Sequence, residues 1–385
     1  MMSSCFGRLG KAAVDFSRRI PAAAGRAAVG RTGPFCGVAA VCGATALWVP
    51  GPGTRCEDDT GEMFAPFDEM GWLRRMVKGL PQPRFITGAC INELQREFRL
   101  RGDDIIIATY PKCGTTWMQQ ILVSLLFQGD KSKAVLPMEQ APWIEATVCR
   151  KHQGATGESF LGRAMSTREL SEWSAPPGFE APPRRAFKTH ASVEMVPWKG
   201  GIPGLGGAKV VVVTRNPKDA CVSLFHHTRE NKLGGYKGDF VHFVTGMFLP
   251  GHAESGCFWK WHAGWEEAAA KHPDTIIWVS YEELKRDFPA AVRRIADFLQ
   301  IPVSDDAIRG TMDSSSFKSM KASFEGRGQE LEAKGLPTKK NHIRKGEMGS
   351  WRNDIHGALL AEFDAASRAK TAQHDLKYEF DYGDP

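Results

Sequence analysis

Several absences narrow the reading of this 385-residue chain before any motif is considered. No Asn-X-Ser/Thr sequon occurs, which tilts away from a glycosylating lumen. The nine cysteines are odd in number and never paired at metal-ligand spacing, so free buried thiols, a reducing compartment and no structural zinc are the expectation. Internal repeats and long low-complexity tracts are missing too, and what remains is an ordinary globular composition able to bury a sizeable core. The apolar run "CGVAAVCGATALWV", Cys36 to Val49, is too short to establish a membrane span. Acids are nearly absent from the first 56 residues, where Arg8, Lys11, Arg18, Arg19, Arg26, Arg31 and Arg55 face only Asp15. That block carries the whole formal charge of +6, and the rest is balanced at 43 basic and 43 acidic residues. A balanced body argues against a broad basic face for nucleic acid and leaves room for a local anion pocket.

Rich in Arg, Ala, Ser and Gly, residues 1–60 read as a leader ahead of a domain spanning 61–385. An organelle import peptide, for a mitochondrion or plastid, is the favoured reading. A membrane tether, a secretory signal and a disordered tail are the alternatives, and membrane contact is expected only through this segment.

Past the leader, strand-like and helix-like runs alternate, which predicts an α/β fold with a central, mostly parallel sheet and helices on both faces. "DDIIIATY" is a buried-strand candidate followed by "PKCGTTW" and a helix presenting Trp117, Ile121, Leu122, Leu125 and Leu126 on one face. "RRAFKTH", "AKVVVVTRNPKDACVSLFHH" and "DTIIWVSYEELKRDF" supply three more strands, the second leading into a helix from about Lys218. "AAVRRIADFLQIP" reads as an amphipathic helix stopped by Pro302. Ligands of such sheets gather at the carboxyl ends of the strands, and Lys112, His190, Arg215 and Tyr281 all fall just beyond those ends. The glycines of "PWKGGIPGLGGAKV" precede a strand instead of following it, so they predict a surface loop and not a dinucleotide fingerprint. Lys321 to Ile343, charged and glycine-dotted, reads as a mobile lid.

A strand that breaks at Gly114 and restarts as a helix leaves backbone N–H groups turned toward an anion such as phosphate or sulfate. Lysine precedes the glycine and threonines here, so the "GK[ST]" ending of a Walker loop is missing and a nucleotide kinase is disfavoured.

"YPKCGTTW" resembles the 5′-phosphosulfate loop of the soluble, cytosolic-type sulfotransferases, with Cys113 where the usual form has serine. "FKTH", "RNPKDACVS" and "RKGEMGSW" resemble, in order, that family's catalytic strand end, its 3′-phosphate segment and its C-terminal signature. Together they cover roughly Pro83 to Asp381.

This resemblance implies a P-loop-like core and transfer of a sulfuryl group from 3′-phosphoadenosine 5′-phosphosulfate (PAPS) to a hydroxyl or amine of a small, lipophilic acceptor, without a metal. It implies His190 as general base, Lys112 on the leaving oxygen, and Lys188, two residues earlier on the same strand face, as an orienting lysine. Lys112, Cys113, Gly114, Thr115 and Thr116 would hold the 5′-phosphosulfate, Trp117 would stack the adenine, and Tyr281, Ser315 and Phe317 would contact the nucleotide. Arg215, Ser223, Arg344, Lys345 and Gly346 would take the 3′-phosphate, with an Arg215–Asp219 ion pair as the structural competitor. His226 and His227, beside Phe225, read as packing or surface residues. Trp143, Phe160, Trp173 and the aromatics from Phe258 to Trp265 are either acceptor pocket or core, core being the default. An inactive PAPS-binding scaffold is the rival from another class, and both Lys112 and His190 count against it. The family's dimer motif is not matched at Arg352, His356, Gly357 and Ala361, so no oligomeric state is inferred.

Overall fold

β-Branched runs form strands where they are expected, and the chain threads them in one direction. The computed structural model describes residues 74–134, 136–155, 157–230, 235–336, 338 and 342–380, so the leader expectations lie outside the described residues. Of the two units into which the chain divides, Met1–Arg55 and Cys56–Pro385, the described residues belong to the second. An antiparallel hairpin of β1 (Arg74–Val77) and β2 (Leu80–Pro83) precedes α1 (Gly88–Glu97). Next, β3 (Ile105–Thr109) turns into α2 (Thr115–Leu126), and α3 (Pro137–Gln140), α4 (Ile144–His152) and α5 (Thr167–Glu172) lead to β4 (Ala186–Thr189). After β5 (Lys209–Thr214) come α6 (Pro217–Arg229), a short α7 (Phe240–His242) continued by a π-helical turn over Phe243–Phe248, and α8 (Phe258–Lys271). Strand β6 (Ile276–Ser280) passes directly into α9 (Tyr281–Arg286), followed by α10 (Phe288–Leu299), α11 (Asp305–Ser314), α12 (Phe317–Ala333) and α13 (Gly357–Gln373).

Strands β4, β3, β5 and β6 pair in that order, all parallel, with Ile105 opposite both Ala186 and Lys209. Alternate side chains point to opposite faces of a strand. Ile106, Ala108, Val210 and Val212 accordingly enter one core, and Ile105, Ile107, Val211 and Val213 enter another across the sheet. Helices cover both faces, and that explains why β3 is buried at every position.

Four expectations need correction. Helix α2 is not one-faced: Met118 through Leu126 are all buried, because α3 and α11 pack on it as well as the sheet. Helix α10 stops at Leu299, where Gln300 turns left-handed (φ 57°), and not at Pro302. The glycine-rich stretch before β5 is a loop, yet it holds a 3₁₀ turn over Ile202–Leu205 with Trp198, Ile202 and Leu205 buried. The stretch from Lys321 is not loop-like, because helix α12 runs on to Ala333; its half-buried Arg327 meets Glu139 at 3.1 Å and Glu158 at 3.2 Å, partners too distant in sequence to show in any local period.

The cysteine reading also fails in part. Helix α1 packs on α4, and Cys90 and Cys149 meet there in a disulfide with Cα atoms 5.5 Å apart. The argument for a reducing compartment loses its basis, while Cys113, Cys221 and Cys257 are free thiols. Among the described residues no helix is long and apolar enough to cross a membrane.

Candidate active site

The four parallel strands end side by side, and each end delivers a polar residue to one cavity of about 410 Å³. Lys112 follows β3, His190 follows β4, Arg215 follows β5, and Tyr281 opens α9 after β6.

The turn after β3 is held in a left-handed conformation at Lys112 (φ 73°) and Gly114 (φ 101°). At Gly114 a Cβ would come within 2.9 Å of the Tyr281 ring, so the loop needs glycine for both conformation and space. No side chain caps α2. Its first-turn N–H groups lack intrahelical acceptors, and Thr115 and Thr116 line the cavity beside them. Thr109 and Thr115 share a short hydroxyl contact of 2.6 Å that ties the turn to its strand.

His190 is oriented by a backbone acceptor. Its Nδ1 lies 2.8 Å from the Thr109 carbonyl, which can only accept, so Nδ1 carries the hydrogen and Nε2 keeps a lone pair. Burial, and then the charges of Lys188 and Lys112, hold its pKa down to about 3. Trp143 meets the imidazole edge-on at 4.8 Å and lies under the Lys188 ammonium at 4.7 Å. Behind the strand end, Glu145 Oε1 accepts from the Thr189 hydroxyl at 2.6 Å and from the His190 N–H at 3.3 Å. Burial raises the pKa of this carboxyl to about 7.

Arg215 lies over the Tyr281 ring at 4.4 Å and donates to the carbonyls of Lys112 (3.3 Å) and Glu347 (3.0 Å). Its Nε is buried with no hydrogen-bond partner among the described residues. The competing ion pair with Asp219 spans 3.9 Å. Asp219 has closer partners, accepting from Gly349 N (2.7 Å), Trp351 N (3.0 Å) and Ser350 Oγ (3.2 Å). The segment Arg344–Trp351 is thereby tied to α6. Gly346 (φ 67°) lets that segment pass Phe317, whose ring a Cβ would approach to 2.8 Å.

Ser223, Ser315, Phe317, Arg344, Lys345 and Gly346 line the same cavity. Trp117 joins them, its ring 5.0 Å from Tyr281 and stacked at 6.0 Å on Phe288. Cys113 is the exception. Its side chain is fully buried in the core and does not reach the cavity, and burial pushes the thiol pKa well up. The small side chain at this position faces away from where an anion would sit.

Sequence reading missed other residues. His226 and His227 line the cavity, although the His226 ring also packs edge-on against Phe225 at 5.5 Å, and His342 joins them. His227 Nδ1 lies 3.2 Å from Lys112 Nζ, and His342 Nε2 lies 3.0 Å from Thr116 Oγ1. One signal was present: Ser223 and His227 stand four apart on α6, hence on one face. Of the candidate acceptor aromatics only Trp143 lines the cavity. Phe160 packs against His342, Trp173 against Phe187, and Phe258, Trp259, Trp261 and Trp265 are core. Among the described residues no cluster of His, Cys, Asp or Glu could hold a metal ion.

The family model described as the sulfotransferase domain matches residues 102–375. The chain belongs to the sulfotransferase family. Sulfotransferase 2B1 of Homo sapiens is 30% identical over 83% of this chain and 80% of the relative. Sulfotransferase 1B1 of Mus musculus is 27% identical over 79% of this chain and 94% of its own. Among solved structures, mouse sulfotransferase SULT7A1 complexed with PAP superposes with a TM-score of 0.59 at 26% identity, covering 79% of this chain and 96% of that one. The family match spans all four strands of the parallel sheet of this sulfotransferase and every strand-end residue just described.

Proposed function

We propose that this sulfotransferase transfers the sulfuryl group of PAPS to the hydroxyl of a small acceptor by in-line displacement. The observation that carries the reading is the convergence of Lys112, Lys188 and a neutral His190 with its Nε2 lone pair on one cavity. The acceptor O–H proton passes to His190 Nε2 as the acceptor oxygen bonds to sulfur. The bond from sulfur to the bridging phosphate oxygen breaks, and Lys112 neutralises the charge left on that oxygen. Lys188 orients the sulfuryl oxygens.

Support for the donor comes from the chain's own fit to it. The uncapped N-terminus of α2, the glycine-only approach at Gly114 and the orphaned buried Arg215 Nε all suit a phosphorylated ligand. The relative solved with PAP points the same way. Arg215, Ser223, Arg344 and Lys345 take the 3′-phosphate, and Trp117 and Phe317 flank the adenine.

Calorimetric titration tests the 3′-phosphate site. Each charged contact is worth ~1.5–3 kcal/mol, with neighbours not additive. Adenosine 3′,5′-bisphosphate should therefore bind at least about a hundredfold tighter than 5′-AMP, and the Arg215→Ala, Ser223→Ala double variant should lose most of that preference. Equal affinities in the wild type would sink the reading. The acceptor is found by screening 2-naphthol, a sterol and a long-chain alcohol with ³⁵S-labelled donor.

A further inference from the structure

Lys112 is fixed at both ends. Its backbone is locked in the left-handed region (φ 73°), and its carbonyl accepts from Arg215 at 3.3 Å. The far end of the side chain meets His227 Nδ1 at 3.2 Å. An ammonium has only donors, so the lysine donates and His227 Nδ1 supplies the lone pair, a neutral imidazole with its hydrogen on Nε2. Between those ends lie four flexible methylenes that leave an ammonium free to point elsewhere. His227 belongs to the last turn of α6, one helical turn beyond Ser223, and both residues line the cavity. Part of that histidine's surroundings is also in place: the His342 ring lies 6.5 Å away, and His342 Nε2 meets the Thr116 hydroxyl of the same anion loop at 3.0 Å.

We propose that His227 is a positioning residue for the sulfuryl-transfer step, holding the Lys112 ammonium over the loop where the leaving phosphate develops its charge. It acts through the lysine and touches no reacting atom. Because it sits on α6, its hydrogen bond to Lys112 couples the helix that carries Ser223 to the loop that carries Lys112, linking the two phosphate-facing regions of the cavity. The proposal rests on the reading of Lys112 as leaving-group lysine, and its test separates the two.

Four variants are compared with wild type: His227→Phe, which keeps an aromatic ring and loses the acceptor; His227→Asn, whose Oδ1 can replace Nδ1; Lys112→Met; and the double variant His227→Phe, Lys112→Met. Turnover is measured with ³⁵S-labelled PAPS and whichever of the three screened acceptors reacts fastest, and adenosine 3′,5′-bisphosphate binding is measured by calorimetry. His227→Phe should lower kcat by roughly tenfold to a hundredfold, with acceptor KM and nucleotide affinity within about threefold of wild type. His227→Asn should recover most of that loss. In the Lys112→Met background the Phe substitution should cost less than about twofold, since the group it positions is gone. A loss that persists undiminished in that background overturns the proposal alone. So does an Asn variant no better than Phe, or a fall in nucleotide affinity as large as the fall in kcat. Unchanged turnover in Lys112→Met overturns instead the reading of Lys112 on which the proposal stands.

Discussion

His190 serves as a base only while Nε2 is unprotonated, and its surroundings enforce that. Burial first, then Lys188 and Lys112, depress its pKa to about 3, and the Thr109 carbonyl selects the tautomer. An anion drawn between the two lysines offsets the second and third of those causes, so the pKa should rise when nucleotide binds. NMR titration of the ring should show no protonation above pH 5 in the free protein and a higher midpoint with adenosine 3′,5′-bisphosphate; titration near the ordinary 6.5 in the free protein would contradict it. His190→Ala should cut turnover by ~10²–10⁴ while nucleotide affinity holds, and comparable turnover would remove it from the mechanism. Glu145 makes the opposite shift, from 4.5 up to about 7. The folded protein keeps a proton there that the unfolded chain releases, so the stability it contributes is full below about pH 4.5 and lost as pH rises through about 7. That amounts to something on the order of 3 kcal/mol at most. Glu282, also raised to about 7 by burial, slopes the same way, while His190 and His262, both lowered to about 3, lose stability as pH falls below 6.5. Glu145→Gln keeps an acceptor at Oε1 and removes one slope. Its Tm relative to wild type should therefore be higher at pH 8 than at pH 5, and a pH-independent difference would show that Glu145 does not titrate in this window.

At the scale of elements, the C-terminal segment depends on α6. Asp219 accepts from Gly349, Ser350 and Trp351, and Lys218 beside it lies 4.3 Å over the Trp351 ring. Asp219→Ala removes three hydrogen bonds to a carboxylate and leaves two backbone N–H groups unpaired, at a cost of about 2–4 kcal/mol. Arg344 and Lys345 lose their hold on position as a result, so adenosine 3′,5′-bisphosphate should bind tenfold or more weakly, about 1.4 kcal/mol, with 5′-AMP much less affected. Equal losses for both nucleotides would show that the tie supports the whole cavity and not this segment. This contact also marks how far the sequence could be read. The four strands of the parallel sheet were legible because apolar runs are local, and the strand-end residues because each follows its strand within three positions; the β1–β2 hairpin was missed, since "RRMV" and "LPQP" hold no such run. The pairs Asp219 with Gly349, Glu145 with Thr189 and Lys112 with His227 join residues far apart in the chain, and no local period records them. Helix α12 was misread for a related reason: Gly326, Gly328 and its mixed charges blur the pattern, and Arg327 is held by glutamates more than 150 residues earlier.

Across the whole molecule, the family match begins at residue 102 and the described residues at Arg74, while residues 1–60 are distinguished by the basic, acid-poor composition of the first 56 and the short apolar run from Cys36 to Val49. We propose that this leader is an address. Removing it should leave turnover and nucleotide affinity unchanged and alter where a tagged protein accumulates in cells; an unaltered location would refute the address, and lost activity would make it part of the enzyme. The strand order β4-β3-β5-β6 carries a consequence for descent. Lys112 lies past the inner strand β3, with Lys188, His190 and Trp143 gathered at the β4 flank and Arg215, Ser223 and Tyr281 at the β5 and β6 flank. On the proposed reading, the flank that meets the acceptor and the flank that grips the nucleotide belong to different stretches of chain on opposite sides of the transferring group. Substitutions that change which alcohol is taken can therefore accumulate on one side without disturbing the other, and a lineage built on this sheet can exchange its acceptors while inheriting its donor intact.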